Sequence, residues 1–357
     1  MSEPSCSDSA TLFLSGTGVS DPSPRSDSLD PQSSPERLPK LSIIIVSFNT
    51  CELLRQCLHS LRAQCHFAEV IVVDNNSHDG SPAMVQAEFP EVAIVRLKEN
   101  VGFAAANNVG ICRSTGEILL LLNSDTVLED ESLLRCLEHM QRRPDLGAVS
   151  PRLIDRDGLP QNCCHRYPSL ADMFRQALRW PPRSADTIPQ DDFWIAGTCL
   201  MVRRDALESL DDQLDENFFM YWEDADLCHR LQTAGWHLEV FDDASIRHYG
   251  GASGGGDDNC RRPDLHAWYQ YGRHHWFRKH RPRWHGICIW LLELIDIPRV
   301  FIRGTLRPEH RMKRAHAATM FSVLTRQVVG QSPARPTGSN DLRSSDPLAS
   351  VPANPEQ

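Results

Sequence analysis

Three carboxylates stand within four positions of the stretch "FFMYWEDADLCHRL", which begins at Phe218. Glu223, Asp224 and Asp226 follow a run of aromatic side chains and precede a segment with helical spacing. Desolvation beside apolar side chains raises the pKa of a carboxyl group, and a carboxylate with a raised pKa suits general-base catalysis. The simpler explanation is that these acids complement a helix N-terminus, with Arg230 four residues after Asp226 as an ion-pair partner. The stretch therefore predicts either a proton acceptor or a charged helix start.

The elements that would position these acids alternate between strand and helix. Four apolar segments, "LSIIIVSFN", "AEVIVVD", "VAIVRL" and "EILLLLNSD", have the continuous β-branched or aliphatic character of buried strands. The helical spacing of "CELLRQCLHSLRAQ" and the Ala-rich centre of "NVGFAAANNVGICRSTG" supply helices between them. This order predicts an α/β fold with a doubly wound, mostly parallel central sheet, in which ligands bind beyond the carboxyl ends of the strands.

Polar clusters end three of the predicted strands, at residues 47–49, 74–77 and 123–125. Turn preference alone explains any one of them, but together they converge on one rim of the sheet. An Asp or Asn carbonyl there can accept the N3–H of a pyrimidine, and Asn123 and Asp125 lie where a divalent cation would bridge them to a diphosphate. The chain has no GxGxxG and no GxxxxGK[ST] motif, so dinucleotide-binding and P-loop interpretations lose their main support.

Composition limits the domain organisation. The chain has 357 residues, of which 41% are hydrophobic and 24% are charged, enough for one large core or two modest ones. Residues 1–40 and 331–357 are crowded with Ser, Pro and Asp, so both are predicted to be disordered tails. The N-terminus does not resemble a secretory signal. Twelve cysteines without a CxxC pair predict reduced thiols in a cytoplasmic protein rather than a zinc site.

The C-terminal part is basic although the whole chain has a net charge of -10. Residues 261–330 carry 14 Lys and Arg against 4 Asp and Glu, so we expect this extension to lie near an anionic partner. Its apolar stretch from Trp284 to Ile302 is interrupted by Glu293, Asp296 and Pro298, which argues against a membrane-spanning helix. Two interpretations stay open: a helix packed on the core, and an interfacial helix on an anionic membrane.

Several long blocks, taken in order, resemble the family 2 glycosyltransferases, in particular their bacterial rhamnosyltransferase-like branch. These blocks are "SIIIVSFN", "VIVVDNNSHDGS", "NVGFAAANNVGI", "ILLLLNSDT", "FWIAGTCLMVRRDAL", "FFMYWEDADLCHRLQTAGW" and "RHYGGAS". The resemblance covers about residues 41–279. It implies the A-type glycosyltransferase fold and a metal-dependent, inverting hexosyltransferase that uses a nucleotide-diphosphate sugar and Mn²⁺ or Mg²⁺. The implied acceptor is a saccharide or lipid-linked saccharide in surface polysaccharide synthesis, at the inner face of the cell membrane and without a nucleic-acid partner.

The resemblance also assigns roles to particular residues. It places Asp224 as the catalytic base with Glu223 beside it, and it places Asp125 and His248 as metal or diphosphate contacts, with a Gly-rich loop after His248 closing over the diphosphate. The sequence departs from the DxD-like motif of the family because Asn123 replaces its first acid. The expected nucleotide-sugar contacts are Ser47, Asn49, Asp74, Asn75, Asn76, Asn107, Asn123, Ser124 and Gly197.

The implied domain is residues 41–260, with a nucleotide-sugar half at about 41–150 and an acceptor half at about 151–260, followed by the helical extension 261–330. A catalytically silent sugar-nucleotide-binding protein stays an alternative because Asn123 weakens the metal motif. A sugar nucleotidyltransferase is less well supported, since "SFNTCELL" has no Gly-rich basic loop after the first strand. A retaining glycoside hydrolase would not explain a nucleotide-binding rim. The sequence does not specify the donor sugar, the nucleotide, the acceptor, the linkage or the oligomeric state.

Overall fold

The computed structural model describes residues 38–178, 180, 192–211, 213–250, 263–306, 311–328 and 331–333. The predicted tails lie outside these residues except at 38–40 and 331–333, and the Gly-rich segment 251–256 lies outside them too. The strands are β1 (Leu41–Ser47), β2 (Glu69–Asp74), β3 (Ala93–Arg96), β4 (Ile118–Asn123), β5 (Thr126–Leu128), β6 (Leu146–Ile154), β7 (Pro160–Gln161), β8 (Cys164–Arg166), β9 (Phe193–Ile195), β10 (Cys199–Arg203) and β11 (His237–His248). The helices are α1 (Cys51–Gln64), α2 (Ser81–Glu88), α3 (Phe103–Arg113), α4 (Ser132–Arg142), α5 (Leu170–Leu178), α6 (Arg204–Glu208), α7 (Glu223–Thr233), α8 (Pro263–His280), α9 (Arg283–Leu306) and α10 (Arg311–Val328).

The central sheet runs in the order β3-β2-β1-β4-β10-β6-β11-β5, with β7 paired to β6. Strands β3, β2, β1 and β4 are parallel, as the βαβα order of the sequence predicts. Their carboxyl ends therefore meet at one edge, which brings the polar clusters after β1, β2 and β4 together. This sheet agrees with the A-type glycosyltransferase fold that the sequence resemblance implies.

Helices cover both faces of the sheet, which explains the continuous apolar character of its strands. In β1, Ile43 and Ile45 pack in one hydrophobic cluster with α1 and α4, whereas Ile44 packs on the opposite side with α3 and α7. All three side chains are fully buried. The doubly wound arrangement predicted from the sequence is therefore confirmed.

The second half of the sheet is mixed rather than parallel. Strand β10 lies between β4 and β6 and is antiparallel to both. Beside β6 lies β11, which is parallel to it and ends at His248. Strand β5 pairs with the last residues of β11, so that His248 stands opposite Thr126, next to Asp125. The mixed pairing delivers His248 to the edge where β4 ends.

The C-terminal extension is helical, and α9 is packed along one side, as the first interpretation of its apolar stretch expects. On that side Glu293 contacts Arg273 and His274 of α8. The other side exposes large apolar side chains: Trp284, Ile287, Leu291, Leu294, Ile295, Phe301, Ile302 and Leu306. None of the helices in the described ranges has both the length and the apolar character needed to cross a bilayer.

A buried ion cluster fastens α8 to α7. The carboxylate of Asp226 is fully buried and lies 2.8 Å from Arg230 Nε, 2.8 Å from Lys279 Nζ and 2.7 Å from His280 Nε2. Burial alone would raise the pKa of Asp226, but these contacts, led by His280, hold the pKa below its ordinary value. Lys279 also contacts Asp215, on the loop before α7. Asp226 is thus an inter-helix ion-pair residue, including the pairing with Arg230 that the sequence suggests.

We expect Asp226→Asn to lower the free energy of unfolding by about 3 kcal/mol, because it leaves buried cations without their carboxylate. Since the folded pKa is depressed, the ion cluster stabilises the protein above the unfolded pKa and this contribution disappears as the pH falls through the folded value. Urea denaturation at pH 7 measures the loss. The exposed pair Arg152–Asp242 is the control, and Asp242→Asn should leave the midpoint almost unchanged. Equal effects of the two substitutions would contradict this role of Asp226.

Candidate active site

The ends of β1 and β2 form the first part of the polar rim. Asp74 is buried, and its Oδ1 atom accepts no hydrogen bond, while its Oδ2 accepts the Ser77 backbone N–H at 3.2 Å. Burial raises the pKa of Asp74, although Ser77 opposes the shift. The side chain of Asn75, in contrast, has its hydrogen bonds within the protein: it donates to Asn100 Oδ1 and Gly102 O and accepts from Val101 N–H. Asp74 therefore presents an available acceptor, whereas Asn75 shapes the loop before α3.

Hydroxyl groups join the ends of β1 and β4. Ser47 Oγ lies 3.1 Å from Thr50 Oγ1, which lies 2.9 Å from Ser124 Oγ, and all three side chains are buried. Asn49 adopts a left-handed backbone conformation with φ 55°, and its Oδ1 accepts the His78 N–H at 2.8 Å. These contacts tie the loops after β1, β2 and β4 into one rim.

Two other Asn residues expected at the nucleotide site occupy different settings. Asn76 also has a left-handed backbone, with φ 68°, directly after Asp74 and Asn75. Asn107 lies in α3, where its Nδ2 donates to Phe103 O at 2.9 Å and its buried Oδ1 has no hydrogen-bond partner. The structure thus puts Asn76 in the rim loop and Asn107 on a helix behind it.

Asp125 and His248 meet although they are far apart in sequence. The His248 Nε2 atom lies 3.3 Å from Asp125 Oδ1, and the Tyr249 N–H donates to Asp125 O. The other ring nitrogen, Nδ1, lies 2.9 Å from Gln161 Oε1, and Gln161 Nε2 donates to His248 O at 3.0 Å. Gln161 therefore holds the imidazole from behind, on the side away from Asp125.

Gln161 contacts both the backbone and the ring of His248. Its amide nitrogen donates to His248 O, so its amide oxygen faces the ring Nδ1. The other ring nitrogen, Nε2, faces the Asp125 carboxylate. One carboxylate and one oriented imidazole suit a Mn-like ion. They are two ligands only, since the described residues contain no group of three or more His, Cys, Asp or Glu that could hold a metal.

A short backbone segment at residues 197–198 connects the end of β4 at Asn123 to the acidic start of α7 at Asp224. The Asn123 N–H donates to Thr198 O at 2.9 Å, and the Gly197 N–H donates to Asp224 Oδ2 at 2.9 Å. A Cβ on Gly197 would lie 3.4 Å from Asp224 Cβ, so Asp224 is in close contact with this segment. Residues 197–198 thus bring the end of β4 and the start of α7 to the same place.

The two acids at the start of α7 have raised pKa values for one main reason, which is burial. Desolvation raises the pKa of Asp224 to about 6, although the N–H groups of Gly197 and Ala225 stabilise its carboxylate. Burial, followed by repulsion from Asp224, raises the pKa of Glu223 well above its usual range. Glu223 Oε2 is buried without a hydrogen-bond partner. Of the two acids, Asp224 is therefore the more readily ionised, and its carboxylate can accept a proton.

The aromatic run before these acids is mainly core. Phe218, Phe219 and Trp222 are buried, so these three rings do not offer an exposed platform for a sugar. Tyr221 is partly exposed. The aromatic residues supply the apolar surroundings that raise the acid pKa values, as the sequence suggests.

Sequence reasoning missed Gln161 and the connecting role of Thr198. Gln161 lies in a two-residue strand without a pattern of its own, and the Thr198 contact is made by a backbone carbonyl, which any residue type provides. All the cysteines in the described ranges are free thiols, in agreement with the expected reduced state.

The chain is similar to known proteins in sequence and in fold. Residues 42–211 match the model of glycosyl transferase family 2. An N-acetylglucosaminyl-diphospho-decaprenol L-rhamnosyltransferase of Mycobacterium tuberculosis is 27% identical over 302 residues, covering 76% of this chain and 96% of the relative. A low-salt glycan biosynthesis hexosyltransferase of Haloferax volcanii is 28% identical, covering 55% of this chain and 62% of the relative. In fold, the chain resembles a mannosyltransferase from Pyrobaculum calidifontis, with a TM-score of 0.50 at 17% identity over 82% of this chain and 88% of that one.

The mixed sheet and its polar rim define an A-type glycosyltransferase. The chain carries a family 2 glycosyltransferase domain at residues 42–211, and it is similar in sequence to a rhamnosyltransferase. The family 2 domain predicted from the sequence is therefore confirmed.

Proposed function

We propose that this chain transfers a hexose, rhamnose or another sugar, from a nucleotide diphosphate to a hydroxyl of a saccharide or lipid-linked saccharide, with inversion at the anomeric carbon. The observation that carries the proposal is the link through residues 197–198, which joins Asn123 beside the cation-binding pair to the carboxylate of Asp224. A donor diphosphate at the end of β4 would then have its sugar close to a positioned base. Single displacement by an activated hydroxyl inverts the anomeric centre.

The donor side is supported by the chemistry of the rim. The free Oδ1 of Asp74 would accept the N3–H of a pyrimidine base, and the hydroxyl groups of Ser47, Thr50 and Ser124 line the path toward the diphosphate. Asp125 and His248 would hold Mn²⁺ or Mg²⁺, and the bound cation would neutralise charge on the leaving diphosphate. The P. calidifontis mannosyltransferase of similar fold was solved in complex with GDP-mannose and Mn²⁺.

The acceptor side is supported by the relative from M. tuberculosis, whose name specifies a lipid-diphosphate-linked sugar as acceptor and rhamnose as the sugar transferred. We infer an acceptor of that class, which would place the enzyme in surface polysaccharide synthesis on the cytoplasmic side of a membrane. A catalytically silent sugar-nucleotide-binding protein is the second candidate, because Asn123 replaces an acid of the metal motif. Asp224 favours catalysis, since a carboxyl with a pKa of about 6 is costly to bury and is suited to accept a proton.

Peripheral membrane contact belongs to the same proposal. Exposed apolar side chains lie along one side of α9, and the surrounding extension 261–330 carries 14 basic against 4 acidic residues. Apolar side chains flanked by cations are what an anionic lipid surface binds. We therefore propose that this side of α9, here named the α9 stripe and defined by Trp284, Ile287, Leu291 and Ile295 with the apolar residues that continue to Leu306, rests on an anionic bilayer.

The base assignment predicts the behaviour of Asp224→Asn. Turnover with a verified donor and acceptor should fall by about 100-fold or more, because the amide cannot take the proton, while donor affinity stays the same. Because only the ionised form of Asp224 acts, wild-type kcat/KM should fall as the pH drops below about 6. Initial-rate measurements across pH 5 to 8 check both points.

Glu223→Gln is the matched control for Asp224. Burial favours the neutral form of Glu223, which glutamine mimics, so this variant should lose much less activity than Asp224→Asn. Wild-type turnover in Asp224→Asn would refute the base assignment. Asp226→Asn is unsuitable as a control because that substitution also breaks the ion cluster between α7 and α8.

The cation assignment predicts that Asp125→Ala loses turnover and the metal dependence of donor binding while keeping its fold. Thermal unfolding with UDP or dTDP, each with and without Mn²⁺, measures this directly, since a ligand at 100 times its Kd adds about 2.7 kcal/mol of stability. Gln161→Leu should weaken Mn²⁺ binding by about 10-fold to 100-fold by releasing His248. Asp130→Asn is the control, because Asp130 is exposed and asparagine tolerates its positive φ. Unchanged Mn²⁺ dependence in Asp125→Ala would eliminate the site.

The membrane assignment predicts sedimentation with phosphatidylglycerol vesicles and release as salt rises, because surface charge is screened within about 8 Å at physiological ionic strength. Ile287→Asp combined with Ile295→Asp should abolish sedimentation without loss of stability, since both side chains are more than half exposed. Leu159→Asp, at an exposed position outside the C-terminal extension, should have no effect. Equal partitioning onto neutral and anionic vesicles counts against the proposal, as does a dimer in solution that the two Asp substitutions dissociate.

A further inference from the structure

The residues directly before the two acids have an uncommon backbone conformation. Tyr221 and Trp222 are consecutive non-glycine residues with φ 68° and 76°, in the left-handed region. A bulky residue is strained there, and such strain persists only where the surroundings hold it. Trp222 is the N-cap of α7. Its backbone conformation therefore sets the direction in which α7 begins, and with it the positions of Glu223 and Asp224.

On one side, the loop before α3 contacts the segment at residues 218–222, which contains this turn. The Phe103 N–H donates to Phe219 O at 2.6 Å. Gly102, with φ +95°, lies so close that a Cβ there would be 2.4 Å from Phe219 O. The side chain of Asn75 fixes this same loop through Val101 and Gly102, so the rim at β2 and the turn before α7 are in direct structural contact.

On the other side, α8 of the C-terminal extension holds the segment. A Cβ on Gly272 would lie 2.9 Å from Tyr221 O and 2.9 Å from Trp222 Cδ1, so only glycine allows this approach. One turn earlier, the Trp268 ring stacks on Phe219 with centroids 4.5 Å apart. Lys279 and His280, farther along α8, bind Asp226 in α7. Helix α8 therefore contacts the strained turn and the helix that follows it.

We propose that α8 is a positioning element of the active site and that Gly272 is its positioning residue. By closing on the carbonyl of Tyr221 and the ring of Trp222, Gly272 keeps both residues left-handed and so holds Asp224 against the Gly197 N–H. The catalytic consequence rests on the base role of Asp224 in the proposed function; the structural consequence does not. The C-terminal extension is then a part of the catalytic unit as well as the bearer of the α9 stripe.

Two glycine-to-alanine substitutions in the C-terminal helices separate this role from helix propensity. Gly272→Ala and Gly286→Ala both replace a helical glycine by the best helix former, which by itself favours the helix. A Cβ at position 286 meets nothing within 4 Å, whereas at position 272 it meets the backbone of Tyr221. Only Gly272→Ala should displace the turn.

Hydrogen–deuterium exchange and kinetics on the full chain measure the two consequences. In Gly272→Ala, peptides covering residues 218–226 should exchange faster than in the wild type and in Gly286→Ala, while peptides from β1 and β4 stay unchanged. Its kcat should fall by about 10-fold to 100-fold with little change in the KM for the donor, as a small displacement of a catalytic group causes. Wild-type exchange in residues 218–226 overturns the positioning role even if no transferase activity is found. Faster exchange with wild-type kcat overturns the catalytic consequence.

If Gly272→Ala does not accumulate as folded protein, His280→Ala tests the same contact between α8 and α7. It removes one of the ligands of Asp226 and leaves Arg230 and Lys279 in place. Faster exchange at residues 218–226 together with a lower kcat supports the proposal. Wild-type behaviour in both measurements overturns it.

Discussion

Three carboxyl groups within one turn of helix, two of them buried and one half-buried, are the constraint on which this structure depends. A carboxylate removed from water is tolerated only where a proton, hydrogen-bond donors or cations compensate its charge. Burial favours the neutral form of Glu223, Asp224 accepts two backbone N–H groups, and Asp226 is surrounded by three basic side chains. Each solution requires a different neighbour, so the start of α7 needs the segment at residue 197 on one side and α8 on the other.

That requirement joins the two halves of the chain. Gly197 belongs to the segment between β9 and β10, and the same segment accepts the N–H of Asn123 at the end of β4. The donor rim and the proposed base are therefore parts of one hydrogen-bonded frame. Helix α8 closes this frame from the C-terminal extension, which is why residues beyond the matched domain at 42–211 contribute to the site.

The extension carries two features that the charge pattern alone would not connect. Its α9 helix exposes an apolar stripe on one side and buries the pairing of Glu293 with α8 on the other. The same helix α8 contacts the turn at Tyr221 and Trp222, so the α9 stripe and the start of α7 are joined through one helix.

The sequence by itself determined the parallel half of the sheet, the helices that flank it and the family. Strands that are buried on both faces have continuous apolar sequences, and β1 to β4 have that character. The polar residues at the ends of these strands follow them directly in the sequence, so they can be recognised in the same way. Strands β6 and β11 carry Gly, Pro and several charged residues, so their places were decided by pairing partners that no local pattern records. The meeting of His248 with Asp125 and its support by Gln161 likewise depend on that pairing. Only the tertiary structure decided which acids of α7 have a raised pKa and which is ion-paired with a lowered one, because a pKa depends on burial and neighbours and the three acids are alike in sequence.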